Sequence, residues 1–111
     1  MENKNLPIVF LNGTVATTNG IYRIRDIDLE SAIKLVNKHT YISAIGHEAT
    51  AEIMTELLGV KIVLNRIQFK QEVNQMAIVF KLNDRPTEGV VLSKKEVEAI
   101  GHSLKLMERL E

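Results

Sequence analysis

A histidine directly follows a glycine where an amphipathic helix is predicted to begin, within the stretch Ser43–Glu52 (SAIGHEATAE). The first backbone N–H groups of a helix have no intrahelical acceptor, and the helix dipole is positive there, so a phosphate is favoured at this position. Gly46 would let the anion approach the backbone without a Cβ in the way. His47 could then donate a proton to a departing oxygen, although many histidines at helix starts are plain surface residues.

Arg66 is a second candidate, because it shares strand alternation with two apolar residues, Ile62 and Leu64. In a regular strand its guanidinium would lie on their face, where a cation needs an anionic partner from the protein or from a ligand. The alternative is a β-bulge at Asn65 that switches the alternation, and Ile67 is apolar in the other register. The sequence leaves both interpretations open.

Arg85 and Glu88 occur in a turn predicted over residues 84–89, which contains a proline and a glycine. A planar guanidinium there could bind a phosphate through two hydrogen bonds or stack on a base. Glu88 could accept hydrogen bonds from ribose hydroxyls. The alternative is a solvated turn without a ligand, because most loops lie at the surface.

Composition excludes several other chemistries. The 111 residues contain no cysteine, so disulfide scaffolds and cysteine nucleophiles are ruled out. Because there is no HExxH motif, P-loop or Rossmann fingerprint, we expect neither a metal site nor a cofactor. Fourteen basic residues balance fourteen acidic ones, which argues against binding to duplex DNA or RNA. No apolar stretch approaches the ~18 residues needed to span a membrane, and we expect a cytoplasmic location.

Hydrophobic patterns predict the elements that must position these residues, in the order strand, strand, helix, helix, hairpin, helix. In chain order they are strands over Pro7–Leu11 and Ile21–Ile27, a helix capped by Asp28, a helix ended by Gly59, a hairpin of Val60–Phe69 and Met76–Leu82, and a helix opened by Ser93 and Glu96. The last helix is predicted to bury Val97, Ile100, Leu104 and Met107. The fold class is α/β (α+β), with a small mixed β-sheet flanked by helices in a single domain over residues 1–111.

Three blocks of sequence, in order and at compatible spacing, resemble the viral ring nuclease family: SAIGHEATAEIMTELLGV, LNRIQF and VFKLNDRPTEGVVLSKKEV. Members of this family are type III anti-CRISPR proteins, also found in bacterial genomes, that degrade the second messenger cyclic tetra-adenylate. The resemblance runs from about Leu11 to Val97. It implies a compact α/β domain that forms a two-fold homodimer, with the ligand at the dimer interface under a closing lid.

The resemblance also assigns roles to residues of this chain. The implied catalytic residues are His47, Arg85 and Glu88, and the implied ligand-binding residues are Arg66, Asn12, Thr14, Gly46 and Thr50. His47 would be the general acid, and Glu88 would contact ribose. The loop Thr14–Gly20 is a candidate for the lid, because we expect few groups to anchor it.

The implied function is metal-independent cleavage of cyclic tetra-adenylate to linear oligoadenylates with 2′,3′-cyclic phosphate ends, in the cytoplasm of a bacterial or archaeal host cell. Such a cyclic oligoadenylate phosphodiesterase would switch off type III CRISPR signalling. One alternative is a sponge that binds the ring without cleaving it. Another is a small viral structural or DNA-associated protein.

Overall fold

The backbone forms five strands and three helices within residues 6–13, 16–83 and 94–111, the parts described by a computed structural model. In chain order they are β1 (Ile8–Asn12), β2 (Tyr22–Asp26), α1 (Leu29–Lys38), β3 (Tyr41–Ser43), α2 (Glu48–Leu58), β4 (Met76–Leu82), α3 (Lys94–Ile100) and β5 (His102–Arg109). The strands make one mixed sheet in the order β2-β5-β4-β1-β3. The predicted class, a small mixed sheet with helices in one domain, is confirmed. The turn predicted over 84–89 lies outside the described residues.

The directions of the strands determine which loops meet. β1 is parallel to both of its neighbours, β3 and β4, whereas β5 is antiparallel to β4 and β2. Parallel strands end on the same side of a sheet, so β1, β3 and β4 end together at Asn12, Ser43 and Leu82. We call this side the carboxyl edge. In open α/β sheets, ligands bind in the crevice outside the carboxyl ends of parallel strands.

The main hydrophobic core lies between the sheet and helices α1 and α2. Large side chains from three adjacent strands are fully or almost fully buried in it; they include Ile8, Phe10, Ile78, Phe80 and Leu104. The opposite face of the sheet carries a smaller buried cluster of Val9, Ala77, Val79 and Met107. Alternate residues along β1, β4 and β5 therefore enter different cores, as the two-residue period of a β-strand requires.

Helix α1 forms where its sequence predicts. The Asp28 carboxylate accepts a hydrogen bond from the backbone N–H of Ser31 at 2.7 Å, so the predicted N-cap is confirmed. This bond to the ionised form lowers the pKa of Asp28 below its ordinary value. Ala32 and Val36 are buried against the sheet, one turn apart.

Helix α2 ends at Gly59, which adopts the predicted left-handed conformation with φ 73°. We expect Gly59→Ala to lower the free energy of unfolding by about 1 kcal/mol, because a Cβ is disfavoured at this φ. A Cβ there would meet no atom within 4 Å, so the loss would come from the backbone alone. Urea denaturation measures the change. Gly46→Ala is the matched control, expected to change stability by less than about 0.5 kcal/mol, because Gly46 is outside the left-handed region.

The predicted hairpin of Val60–Phe69 and Met76–Leu82 is wrong. The second half is a strand, β4, but its neighbours are β1 and β5. The first half contains no regular strand, and its backbone forms only an isolated parallel bridge, between Ile45 and Leu64, outside the sheet. The short strand β3, which pairs with β1, was not predicted.

The predicted inner face of the last helix is also wrong in its second half. Helix α3 ends at Ile100, and Gly101 turns the chain with φ 86° into β5. Leu104 and Met107 are buried as predicted, but they belong to β5 and lie on opposite faces of the sheet. Ser93, predicted as the helix cap, lies outside the described residues.

Candidate functional site

Helix α2 begins at the carboxyl edge of the sheet, directly after β3. His47 is its N-cap residue, in an extended conformation, and its carbonyl accepts the first helical hydrogen bond from the Ala51 N–H at 3.0 Å. The N–H groups of the three intervening residues, 48–50, consequently have no acceptor within the helix. With the helix dipole, they make this position favourable for an anion.

The side chain of His47 is exposed and does not hydrogen bond to the helix it caps. Most N-cap side chains accept a hydrogen bond from the first turn, which a serine or aspartate would do better. Its ring is therefore not committed to holding the helix start. Among the residues that the structure describes, none forms a hydrogen bond with either ring nitrogen of His47, so the ring can serve another role.

Arg66 lies beside the same helix start. Its Nε donates a hydrogen bond to the carbonyl oxygen of Gly46 at 3.2 Å, across 20 residues of sequence. Its Cγ is 3.5 Å from the point where a Cβ on Gly46 would lie. The two Nη groups make no hydrogen bond with any residue that the structure describes. The guanidinium is thus held at Nε against Gly46, the residue that precedes His47.

Neither interpretation of Arg66 from strand alternation is correct. The segment is not a strand: Ile62 is buried, but Leu64 is 44% exposed. Arg66 is itself exposed, so it has not been forced into an apolar environment. Its described partner is a backbone carbonyl rather than a carboxylate, which leaves its positive charge uncompensated at this contact.

Asn12 is the last residue of β1 and is exposed at the carboxyl edge. It follows Ile8 and Phe10 in alternation, and both of these pack under the helices. The side chain of Asn12 therefore lies on the helix side of the sheet, the side from which α2 begins. The structure brings Asn12, the Gly46–His47 pair and Arg66 to this one edge.

Four other predicted site residues are less well placed or lie elsewhere. Thr50 is in the first turn of α2 but is only 6% exposed, so most of its surface faces the core. Thr14, Arg85 and Glu88 lie outside the described residues, and their roles stay predictions. The chain reaches Asn83, just after β4, at the carboxyl edge before the segment that contains Arg85.

The loop proposed as a lid is better anchored than expected. The Thr17 hydroxyl donates to the Phe69 carbonyl, and the Asn19 carbonyl accepts a hydrogen bond from Arg109 at 3.3 Å. Gly20 is packed so closely that a Cβ would lie 2.2 Å from the backbone oxygen of Glu111. The expectation of few anchoring groups is therefore wrong for residues 17–20.

Sequence reasoning assigned no role to Ser43 and considered Asn65 only as the position of a β-bulge, yet the structure places both at the centre of the site's framework. Ser43 is 8% exposed, and its hydroxyl is hydrogen bonded on both sides. Asn65 is half-buried and reaches back to the Ser43 carbonyl. The available signal was a serine inside an otherwise apolar run, Tyr41–Ile45, because a buried hydroxyl requires partners.

Within residues 6–13, 16–83 and 94–111, no three histidine, aspartate or glutamate side chains are grouped so that they could hold a metal ion. None of the helices described there is long and apolar enough to cross a membrane; the longest, α2, has 11 residues.

Comparison with known proteins gives consistent matches over most of the chain. The model of the STIV B116-like family matches residues 8–104. The uncharacterized protein YddF of Bacillus subtilis (strain 168) is 37% identical over 109 residues, which cover 96% of this chain and 100% of YddF. The uncharacterized protein ORF117 of Acidianus two-tailed virus is 36% identical over 93 residues, covering 81% of this chain and 80% of ORF117.

A solved structure has the same fold. Protein B116 of Sulfolobus turreted icosahedral virus superposes with a TM-score of 0.65, covering 93% of this chain and 99% of B116. The two sequences are 23% identical, so this similarity concerns the fold alone. Related sequences thus occur both in a bacterium and in viruses.

Proposed function

The chain belongs to the STIV B116-like family, and we propose that it is a metal-independent ring nuclease that cleaves cyclic tetra-adenylate. The observation that carries the proposal is the hydrogen bond from Arg66 Nε to the Gly46 carbonyl at 3.2 Å. It ties a guanidinium to the residue that precedes His47, at the N-terminal end of α2, which supports a phosphate-binding role for this position. The guanidinium, the imidazole of His47 and the N–H groups of α2 are the groups that recognition and cleavage of a phosphodiester require, and they coincide with two of the three blocks that resemble ring nucleases.

RNA carries its own nucleophile, so the reaction needs no metal-bound water. The 2′-hydroxyl attacks the adjacent phosphorus, its proton passes to water, and the bond from phosphorus to the 5′-oxygen breaks. The protonated imidazole of His47 gives its proton to that leaving oxygen. The products are a free 5′-hydroxyl and a 2′,3′-cyclic phosphate. The protein must hold the hydroxyl, phosphorus and leaving oxygen in line.

Negative charge grows on the phosphoryl oxygens in the transition state. Arg66 and the N–H groups at the start of α2 are suited to stabilise this charge, because they are held in place before the substrate arrives. The resemblance adds Arg85 to this task and Glu88 as a ribose contact. Asn12 at the end of β1 would supply an amide for the sugar or base of a neighbouring nucleotide.

A two-fold homodimer follows from the same proposal. A ring of four nucleotides has a two-fold axis, so two copies of the chain would present one His47 to each of two opposed phosphodiesters. Three apolar residues around Arg66 support a covering partner: Val63, Leu64 and Ile67 are 49%, 44% and 46% exposed. A partner that covers this short segment would bury these apolar side chains. The enzyme would act in the host cytoplasm and switch off type III CRISPR signalling.

Incubation of the purified protein with labelled cyclic tetra-adenylate in excess EDTA tests the proposal. We expect linear oligoadenylates ending in a 2′,3′-cyclic phosphate, identified by chromatography and mass spectrometry, at the same rate with and without EDTA. An intact ring that co-elutes with the protein would instead indicate a non-catalytic sponge. If the ring is neither cleaved nor retained, the protein does not act on this messenger and the proposal is wrong.

A further inference from the structure

Ser43 and Asn65 join the end of β3 to the segment that carries Arg66. The Ser43 hydroxyl donates to the Val63 carbonyl at 2.6 Å and accepts from the Ile45 N–H at 3.3 Å. The Asn65 side-chain amide donates to the Ser43 carbonyl at 2.8 Å. The Asn65 backbone N–H donates to the Ile45 carbonyl at 2.8 Å. These hydrogen bonds therefore connect the segment that carries Arg66 to residues 43–45, which lead directly into Gly46 and His47.

Arg66 occupies the centre of a tight turn whose first residue is Asn65. The Ile67 N–H donates to the Asn65 carbonyl at 3.0 Å, which closes a three-residue turn around Arg66. Because residues 61–69 contain no regular strand, no extended ladder of backbone hydrogen bonds fixes this turn. The hydrogen bonds of Asn65 and Ser43 take the place of that ladder, because they hold the segment at Asn65 and at Val63, one and three residues before Arg66.

We propose that Ser43 and Asn65 form a clamp that holds Arg66 against the start of α2, and that both are positioning residues for cleavage. This inference rests on the proposed function. In the clamp, the same strand end determines where Gly46 and His47 lie and where the turn around Arg66 lies. The general acid and the cation that stabilises the transition state are therefore placed by one set of hydrogen bonds.

A purely structural role for these hydrogen bonds is the competing explanation, and the chain offers a matched control. The Thr55 hydroxyl donates to the Ala51 carbonyl at 2.8 Å and accepts from the Ile62 N–H at 2.9 Å. It ties the same segment to α2, but at Ile62, whose own side chain is buried. Loss of the Thr55 hydroxyl therefore removes similar bonds without releasing the turn around Arg66.

The test compares Ser43→Ala and Asn65→Ala with the control Thr55→Ala, and uses Ser43→Thr, which keeps the hydroxyl, as the rescue. We expect the first two variants to lower the single-turnover rate of ring cleavage by about tenfold to 10²-fold, the range that a small misplacement of a reacting group produces. Thr55→Ala and Ser43→Thr should stay within about twofold of the wild type. Urea denaturation verifies that Thr55→Ala loses as much stability as Ser43→Ala.

A second readout does not depend on cleavage. Exchange of the Arg66 Nε–H with solvent, followed by NMR, should be slow in the wild type and in Thr55→Ala, and fast in the two clamp variants. If this exchange is unchanged in Ser43→Ala and Asn65→Ala, the clamp is wrong. It is also wrong if the cleavage rates of all three alanine variants fall in proportion to their free energies of unfolding. Should the wild type fail to cleave the ring, the proposed function falls, and the exchange measurement alone decides the clamp.

Discussion

Replacing His47 with alanine is expected to slow single-turnover cleavage of cyclic tetra-adenylate by about 10² to 10⁴-fold, the usual contribution of a general acid. The leaving 5′-oxygen is a poor leaving group unless it is protonated as the bond to phosphorus breaks. Binding of the ring should persist in this variant, because the backbone N–H groups of α2 and the guanidinium of Arg66 are unaffected. Rapid-quench kinetics at saturating enzyme, together with a direct binding measurement, separate the two effects.

Unfolding of the variant would not explain such a decrease in the cleavage rate. The His47 side chain is exposed and makes no capping hydrogen bond, so its removal should leave the fold intact. His39→Ala is the control: His39 follows α1, and its Nδ1 is 2.9 Å from the Leu35 carbonyl, away from the candidate site. That variant should cleave at the wild-type rate. Turnover close to wild type in His47→Ala would mean that another acid, or none, serves the reaction.

Phe10→Ala should cause the largest loss of stability, about 3–5 kcal/mol, because it empties the centre of the main core. Phe10 is 0% exposed and lies in β1, between β3 and β4. Its ring centroid is 5.4 Å from that of Tyr41 on the neighbouring strand. Domains of this size are stable by only about 5–15 kcal/mol, so a substantial part of the total would be lost. Equilibrium denaturation in urea measures the change.

Tyr41→Ala serves as the comparison, because it removes the other ring of the same aromatic pair. Tyr41 is 37% exposed, so its replacement removes less buried apolar surface than that of Phe10. We therefore expect a distinctly smaller decrease in the free energy of unfolding. If both variants lost the same free energy of unfolding, the aromatic contact rather than the filling of the core would dominate. The assignment of Phe10 to the centre of the core would then be wrong.

The local features of the fold were predictable because they depend on neighbouring residues. Asp28 caps α1 through a residue three positions away, and Gly59 ends α2 with its own backbone conformation. The glycine–histidine pair at the start of α2 was found for the same reason. These features require only helix periodicity and the chemistry of capping residues.

The second half of the last predicted helix shows where such reasoning fails. Leu104 and Met107 fit a helical spacing with Ile100, yet they belong to a strand. Gly101, with φ 86°, separates the two elements, and its place inside the periodic pattern was the available signal. Buried residues on both faces of a central strand remove the simple alternation that would otherwise identify it.

The contact between Arg66 and Gly46 could not be predicted from the sequence, for a different reason. It joins residues 20 positions apart through an irregular segment, and neither alternation nor propensity encodes such a pairing. Resemblance to a family indicated that Arg66 belongs to the site, but it did not supply the hydrogen bonds of Asn65 and Ser43 that hold it. The sequence could therefore nominate residues for the candidate site, whereas the hydrogen bonds that hold Arg66 depend on contacts between distant residues that it does not encode.

The position of β5 between β4 and β2 has a consequence for synthesis on the ribosome. Arg23 of β2 and Glu108 of β5, whose side chains pair at 2.8 Å, are 85 residues apart in the chain. As the nascent polypeptide emerges, the three parallel strands and their helices can assemble first, whereas β2 must wait until translation has passed β5. Until then the open side of β4 presents unpaired backbone groups, the kind of edge that chaperones shield from premature association.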